Sequence, residues 1–168
     1  MEQVTLKELL DAREARAVHQ WELTRQYPQS SLISITLNIP GPVKDSEKYR
    51  KALVDGLSEM KGQLATVVYE EVRWLKTGSE AFLVVNEPAL DVKKKAVTVE
   101  EQSPIGRLLD IDVIGKVGPI SRGEVGGKPR KCLICDEDAK VCARSQKHSI
   151  EELLEKIDDI INHKRLNQ

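Results

Sequence analysis

Asp110 and Asp112, with one residue between them, lie inside the apolar run Leu108-Leu109-Asp110-Ile111-Asp112-Val113-Ile114. On a strand, residues two apart point to the same side. Both carboxylates then share one face, flanked by Leu108 and Ile114, while Leu109, Ile111 and Val113 line the other. Two carboxylates held that close repel unless a cation or a basic group lies between them. Hard carboxylate oxygens suit Mg²⁺, and such a pair places metal-bound phosphates for nucleotidyl transfer. Asp136 and Asp138 repeat the spacing in a loop-like segment, so spacing alone also fits a solvated strand face with basic neighbours. Glu70 and Glu71, on another expected strand, are the candidates for a third metal ligand.

A second group is Cys132-x2-Cys135-x6-Cys142-x5-His148. The residue types match a Cys3His zinc site, although the spacing is not that of a standard finger. An odd, clustered set of cysteines in a chain without a secretory signal reads as metal-binding or reactive rather than as a disulfide framework. Lys131 and Arg130 beside the thiols favour the thiolate in either case. Small buried residues and a redox-sensitive thiol pair are the other readings. The segment also fits a phosphate clamp built from Arg144 and His148, because Ser149 opens a helix whose N-terminus favours anions. Zinc and clamp compete for His148.

Arg13, Arg16, Lys44, Arg107, Arg122, Arg130, Arg144 and Lys147 form the basic set, several of them beside glycines or helix ends. Guanidinium groups hold phosphate bidentately and Lys acts as a point charge. Any one of them alone fits an exposed solubilising role better. No Walker pattern, no GxGxxG and no readable Ser-His-Asp arrangement is present.

These residues need a scaffold. Thr5 and Glu8 make a capping box for a helix ending near Gln26. Its Leu6, Leu9, Leu10, Ala17 and Trp21 fall at helical spacing, and Arg13, Arg16 and Gln20 form a separate stripe away from that Leu face. Ile33, Ile35, Leu37 and Ile39 alternate with polar residues in a half-buried strand stopped by Pro40-Gly41-Pro42. A helix over about Ser46–Leu57 follows, then strands at about Leu64–Leu75 and Ala81–Asn86, split by Lys76-Thr77-Gly78-Ser79. Pro88 opens a helix to about Glu101, whose Lys93-Lys94-Lys95 run reads as a solvated face. The aspartate strand comes next. Gly115–Gly127 holds five glycines and one proline in thirteen residues, which predicts loops and at most short strands. Ser149 and Glu152 cap a final amphipathic helix with Ile150, Leu153, Leu154, Ile157, Ile160 and Ile161 on its apolar stripe.

The chain has 168 residues, enough for one domain over residues 1–168. Mixed helices and hairpin-like strands predict an α+β fold with a mixed or antiparallel sheet flanked by helices. With 26 basic and 27 acidic residues and only 4% aromatics, a nucleic-acid surface is not expected. No apolar run approaches the ~18 residues of a membrane span, so a cytoplasmic location is expected.

In order along the chain, Asp11–Arg16, Pro40–Ser46, Gly106–Val113, Ile120-Ser121-Arg122, and Arg130–Cys135 through Cys142-Ala143-Arg144 to His148 resemble the holo-citrate lyase synthase family. These are the apo-citrate lyase phosphoribosyl-dephospho-CoA transferases, and the resemblance covers almost the whole chain. It implies transfer of the phosphoribosyl-dephospho-CoA group from 2′-(5″-triphosphoribosyl)-3′-dephospho-CoA to a serine of the citrate lyase acyl carrier protein. A phosphodiester forms and pyrophosphate leaves. The malonate decarboxylase holo-synthase is similar in chemistry and also uses an Asp-x-Asp pair. Two positions depart from the pattern: Ser103 stands where members often carry His, and Leu109 where they often carry an aromatic residue. The expected site is then Mg²⁺ on Asp110 and Asp112 in a small nucleotidyltransferase-like domain, with Arg13, Arg16, Lys44, Arg107, Arg122, Arg130, Arg144 and His148 on the substrate. The competing expectation is a zinc-stabilised binding module without catalysis, centred on Cys132, Cys135, Cys142 and His148.

Overall fold

The computed structural model describes residues 1–167. Helix α1 spans Leu6–Gln26, and its capping box forms: the Glu8 N–H donates to Thr5 Oγ1 at 3.2 Å and the Thr5 N–H to Glu8 Oε2 at 2.8 Å. Strand β1 (Ser31–Leu37) leads through Pro40-Gly41-Pro42 to α2 (Glu47–Gly62). This helix runs one turn past the expected end because Met60 is fully buried there. Strands β2 (Val67–Arg73) and β3 (Glu80–Val85) form a hairpin, and β2 is shorter than its apolar pattern predicts. Helix α3 (Ala89–Gln102), a 3₁₀ turn at Gly106–Leu108 and β4 (Leu109–Gly115) follow, then a two-residue β5 (Gly118–Pro119). The cysteine segment holds a short α4 (Ala139–Ser145), and α5 (Ile150–Leu166) closes the chain.

The strands form one antiparallel sheet in the order β2-β3-β1-β4-β5. This is the α+β architecture the patterning predicts. Helices α2 and α3 cover one face, where Ile33, Ile35, Leu83, Ile111, Leu53 and Val92 pack in the main core. Helix α5 seals the edge of that core with Ile157 and Ile161 against Ile39, Tyr49 and Leu108.

The opposite face is covered by α1, in an orientation its sequence does not predict. Leu6, Leu10 and Trp21 are 72%, 53% and 57% exposed, and Leu23 is the helix's buried residue. The stripe bearing Arg16, His19 and Gln20 meets the sheet instead: Arg16 pairs with Glu80, His19 with Glu71, and the Gln20 amide donates to Ser34 Oγ at 2.9 Å. The sheet decides this. Its α1 face is apolar only around Leu32, Phe82 and Val84; the rest offers Ser34, Glu71, Glu80 and the aspartates, which a leucine stripe would desolvate without partners.

Candidate active site

Strand β4 alternates as the sequence predicts. Leu109, Ile111 and Val113 are buried in the helix-side core, while Asp110 and Asp112 emerge on the α1 face. Across the ladder Asp110 pairs with Thr36 and Asp112 with Ser34. Because β5 reaches only Ile114 and Gly115, the outer edge of β4 lacks a strand at Ile111, between the two aspartates. Two side chains of α3 complete it. The Ile111 N–H donates to Glu100 Oε1 at 2.9 Å, and Lys93 Nζ donates to the Ile111 carbonyl at 2.9 Å. Glu100 and Lys93 are 3% and 6% exposed, so Lys93 lies in the interior and not on the solvated face its lysine run predicts. The other Glu100 oxygen takes Arg122 Nη2 at 2.6 Å, and Arg122 Nη1 donates to the Lys128 carbonyl. Gly106 makes the approach possible: a Cβ there would lie 2.3 Å from the Val99 carbonyl oxygen and 2.4 Å from that of Glu100.

Asp112 keeps exposed surface but is recessed beside these groups. Burial pushes its carboxyl above the ordinary aspartate range, and the charge on Asp110 adds to the rise; Lys93 and Arg16 oppose it. Two hard carboxylates thus share one face of a rigid strand, mutually repulsive and open on one side, the kind of donor set hard cations take.

A cavity of about 150 Å³ adjoins Asp110 beneath α1, walled by Arg13, Arg16, Lys44, Thr36 and the Thr77-Gly78-Ser79 loop. Gly78 adopts φ +111°, a conformation glycine allows without strain. Ser79 Oγ is buried there without a hydrogen-bond partner. Three cations lining one small cavity suit a bound oxyanion. Burial, then the nearby Arg13 charge, lowers the Lys44 pKa, and Lys44 Nζ also donates to the Ile39 carbonyl. Arg16 is oriented by Glu80, at 3.0 Å and only 2% exposed. Ser79 and Glu80 carry no sequence signal of a site; they read as a turn and a strand start. The candidate third ligands lie elsewhere. Glu70 pairs with Lys61, and Glu71 is bound by Arg73, His19 and Tyr69, which hold it at about 2 against the upward push of burial.

On the far side of β4, Cys132, Cys135, Cys142 and His148 converge, with all four donor atoms within 4.8 Å of one another. Cys135 Sγ lies 3.4 Å from Cys142 Sγ and 3.4 Å from His148 Nε2. Zinc held at ~2.3 Å by sulfur has tetrahedral edges of about 3.8 Å, so small adjustments close this set around a metal. The Ile134 N–H donates to Cys132 Sγ at 3.4 Å, and the Cys132 N–H to the Glu137 carbonyl at 2.8 Å, folding the segment back on itself. Burial pushes the Cys142 thiol up to about 12, helped by its contacts with Cys135 and Glu137. His148 is therefore part of the cluster, while Arg144 is exposed on α4.

Two arginines tie the cluster to the aspartate strand. Arg107 Nη2 donates to the Lys131 and Cys132 carbonyls at 2.6 and 2.7 Å. In return Arg130 donates to the Leu109 carbonyl at 2.7 Å and the Arg107 carbonyl at 3.0 Å. Each segment binds the other's backbone, immediately before Asp110. Together they wall a larger cavity of about 530 Å³, with Asn38, Leu133, Ala143 and Leu153 among its lining.

Paired carboxylates on one strand face thus stand beside a small cavity lined by Arg13, Arg16 and Lys44. The chain belongs to the apo-citrate lyase phosphoribosyl-dephospho-CoA transferase family, whose sequence profile matches residues 4–164. A Streptococcus pyogenes serotype M18 protein named "Probable apo-citrate lyase phosphoribosyl-dephospho-CoA transferase" is 40% identical over 167 residues, covering 96% of this chain and 87% of its own. An Escherichia coli O1:K1 apo-citrate lyase phosphoribosyl-dephospho-CoA transferase is 35% identical over 165 residues, covering 95% and 89%. Haemophilus influenzae "Protein CitXG" is 41% identical over 167 residues, covering 95% of this chain but 36% of its own length. Among the described residues, no helix is long and apolar enough to cross a membrane.

Proposed function

We propose that this protein transfers the phosphoribosyl-dephospho-CoA group of 2′-(5″-triphosphoribosyl)-3′-dephospho-CoA to a serine of the citrate lyase acyl carrier protein. The observation that carries the reading is Asp110, which stands with Asp112 on one strand face and also walls the Arg13–Arg16–Lys44 cavity. Family membership supports the same chemistry.

The residues divide the work. Arg13, Arg16, Lys44 and the Ser79 hydroxyl bind the triphosphate and offset charge on the departing pyrophosphate. The serine Oγ forms a bond to the α-phosphorus as the bond from that phosphorus to the oxygen bridging the β-phosphate breaks, releasing pyrophosphate. The aspartate pair stands where the serine approaches, and one of its carboxylate oxygens accepts the serine proton. Mg²⁺ held by Asp110 and Asp112 would supply positive charge where the phosphate oxygens gather. Glu80 fixes Arg16, while Glu100 and Lys93 fix the backbone between the aspartates.

Cys132, Cys135, Cys142 and His148 form a closed set of four protein ligands, the pattern of a structural Zn²⁺. A non-catalytic zinc module accounts for that cluster but leaves the aspartates, the cationic cavity and the orphaned Ser79 hydroxyl without a role. Incubating the protein with Mg²⁺, the triphosphoribosyl donor and apo carrier protein tests the proposal. A mass gain on the carrier equal to the phosphoribosyl-dephospho-CoA group is expected. Tight carrier binding with no mass gain would refute it.

A further inference from the structure

We propose that the cavity walled by the cysteine–histidine segment is the subsite for the dephospho-CoA part of the donor, an inference that rests on the transferase reading above. The cavity beneath α1 holds about 150 Å³, room for phosphates and little else. With the reacting phosphorus beside Asp110 and the triphosphate tail under α1, the rest of the donor must leave the aspartates by another exit. The larger cavity offers one. Asn38 lines both it and the cationic cavity, and Arg130 lines both it and the hollow that holds Asp110 and Asp112.

Its volume and chemistry match that cargo. About 530 Å³ lies within the ~300–1,000 Å³ range of small-molecule sites. Pro40, Leu133, Ala143, Ile150 and Leu153 give it apolar walls for an adenine ring and a pantetheine arm. Arg107, Arg130 and Lys131 bring positive charge for the linking diphosphate, and no carboxylate lines it. Arg107 and Arg130 are held rigidly by the backbone carbonyls they bind, so their charge is placed before the ligand arrives. The metal cluster thus has a purpose beyond stability: it shapes the wall of a binding site.

A rival hollow of about 680 Å³ meets the aspartate hollow at Pro119, between α1 and the β4–β5 turn. Its cations, Arg25 and Lys116, are exposed side chains, resting on the Trp21 ring at 4.6 Å and on Gln29 at 2.6 Å, whereas Arg107 and Arg130 are half-buried and fixed to backbone. It also has no second connection to the cationic cavity among its lining residues.

Dephospho-CoA, which lacks the transferable triphosphate, is the probe. Calorimetry and inhibition kinetics are run on wild type, Ala143→Trp, Ile150→Asp and Trp21→Ala. Ala143 is exposed, so the indole fills the cavity without entering the core, and Ile150 opens α5, where an added carboxylate is tolerated. Dephospho-CoA is expected to compete with the donor in wild type and in Trp21→Ala. It should bind at least tenfold more weakly to Ala143→Trp and Ile150→Asp, with donor KM rising and kcat changing less. Pyrophosphate inhibition and metal content should stay as in wild type. Unchanged dephospho-CoA affinity in both cavity variants would overturn the proposal, as would its loss in Trp21→Ala alone or no binding to wild type. Each of those results is compatible with normal transfer to the carrier, so this subsite can fail while the transferase reading stands. Absent transfer with dephospho-CoA still bound in the cavity would refute the transferase reading instead.

Discussion

Asp112→Asn should make the protein more stable and nearly inactive. Two residues apart on one strand face, the carboxylates of Asp110 and Asp112 lie about 7 Å apart from a rise of ~3.4 Å per residue. Their repulsion is then about 0.6 kcal/mol at the dielectric of water and about 2.4 kcal/mol at an effective value of 20. Lys93 and Arg16 draw on the same charge and reduce the gain from removing it, while burial adds to that gain. A net stabilisation of about 0.5–1 kcal/mol follows, or about 1–4 °C in Tm for a chain of this size. Added Mg²⁺ should reverse the order. At ten times its Kd a bound ion contributes about 1.4 kcal/mol, raising the wild-type Tm by about 3–5 °C and the variant's by much less. Transfer to the carrier should fall at least ~100-fold. Thermal melts at pH 7.5 with and without Mg²⁺, paired with carrier mass shifts, give all three quantities. A variant that melts lower than wild type without Mg²⁺, or gains as much from the ion, would refute the cation-site argument.

Arg13→Ala should raise donor KM about tenfold with little change in Tm, whereas Arg16→Ala should also cost about 3 kcal/mol, because Glu80 is left buried and unpaired. Steady-state kinetics and urea unfolding separate the two, and Arg16→Ala with Glu80→Gln should regain stability without regaining KM. Glu100→Gln keeps an acceptor for the Ile111 N–H but loses the charge facing Arg122; kcat should drop about tenfold with donor KM within about threefold, and equal loss in both would contradict a positioning role. Cys135→Ser should release about one zinc per chain by metal analysis and lower Tm; unchanged metal content would remove Cys135 from the site. The Glu71 carboxyl, held at about 2, contributes stability that is complete above its unfolded pKa near ~4.3 and is lost as pH falls toward 2. The stability gap between wild type and Glu71→Gln should therefore narrow over that range in urea titrations.

Local chemistry was what the sequence displayed best. Alternation around Asp110 and Asp112 requires no distant partner, so their shared face was readable, as were both capping boxes and the Cys3His grouping. Partners far apart in the chain were not readable. Glu100 looks like any acidic residue near a helix end until β4 docks on α3 and presents the unpaired Ile111 amide. Lys93 sits in a lysine run and differs from Lys94 only in the direction α3 turns it. The facing of α1 failed for a related reason. Hydrophobic spacing identifies a core stripe only when the opposing surface is apolar, and Ser34, Glu71, Glu80 and the aspartates make this one polar. Ser79 could not be picked from a turn because its mark, a buried hydroxyl lacking a partner, exists only in three dimensions.

The sheet is consequently bonded by different forces on its two sides. Toward α2 and α3 the adhesive is apolar contact, which weakens on cooling but is not screened by salt. Toward α1 it is largely a row of directional polar links: Arg16 to Glu80, His19 to Glu71, and Lys76 to Glu8. Added salt weakens the half-exposed Lys76–Glu8 link more than the buried Arg16–Glu80 pair. Lifting α1 is a partial opening that leaves the main core closed, and in hydrogen exchange its amides should lose protection before those of β1 and β3. The wall that carries Arg13 and Arg16 is held with little apolar contact, so the proposed phosphate pocket is built on the side of the sheet that opens before the strand bearing the aspartates.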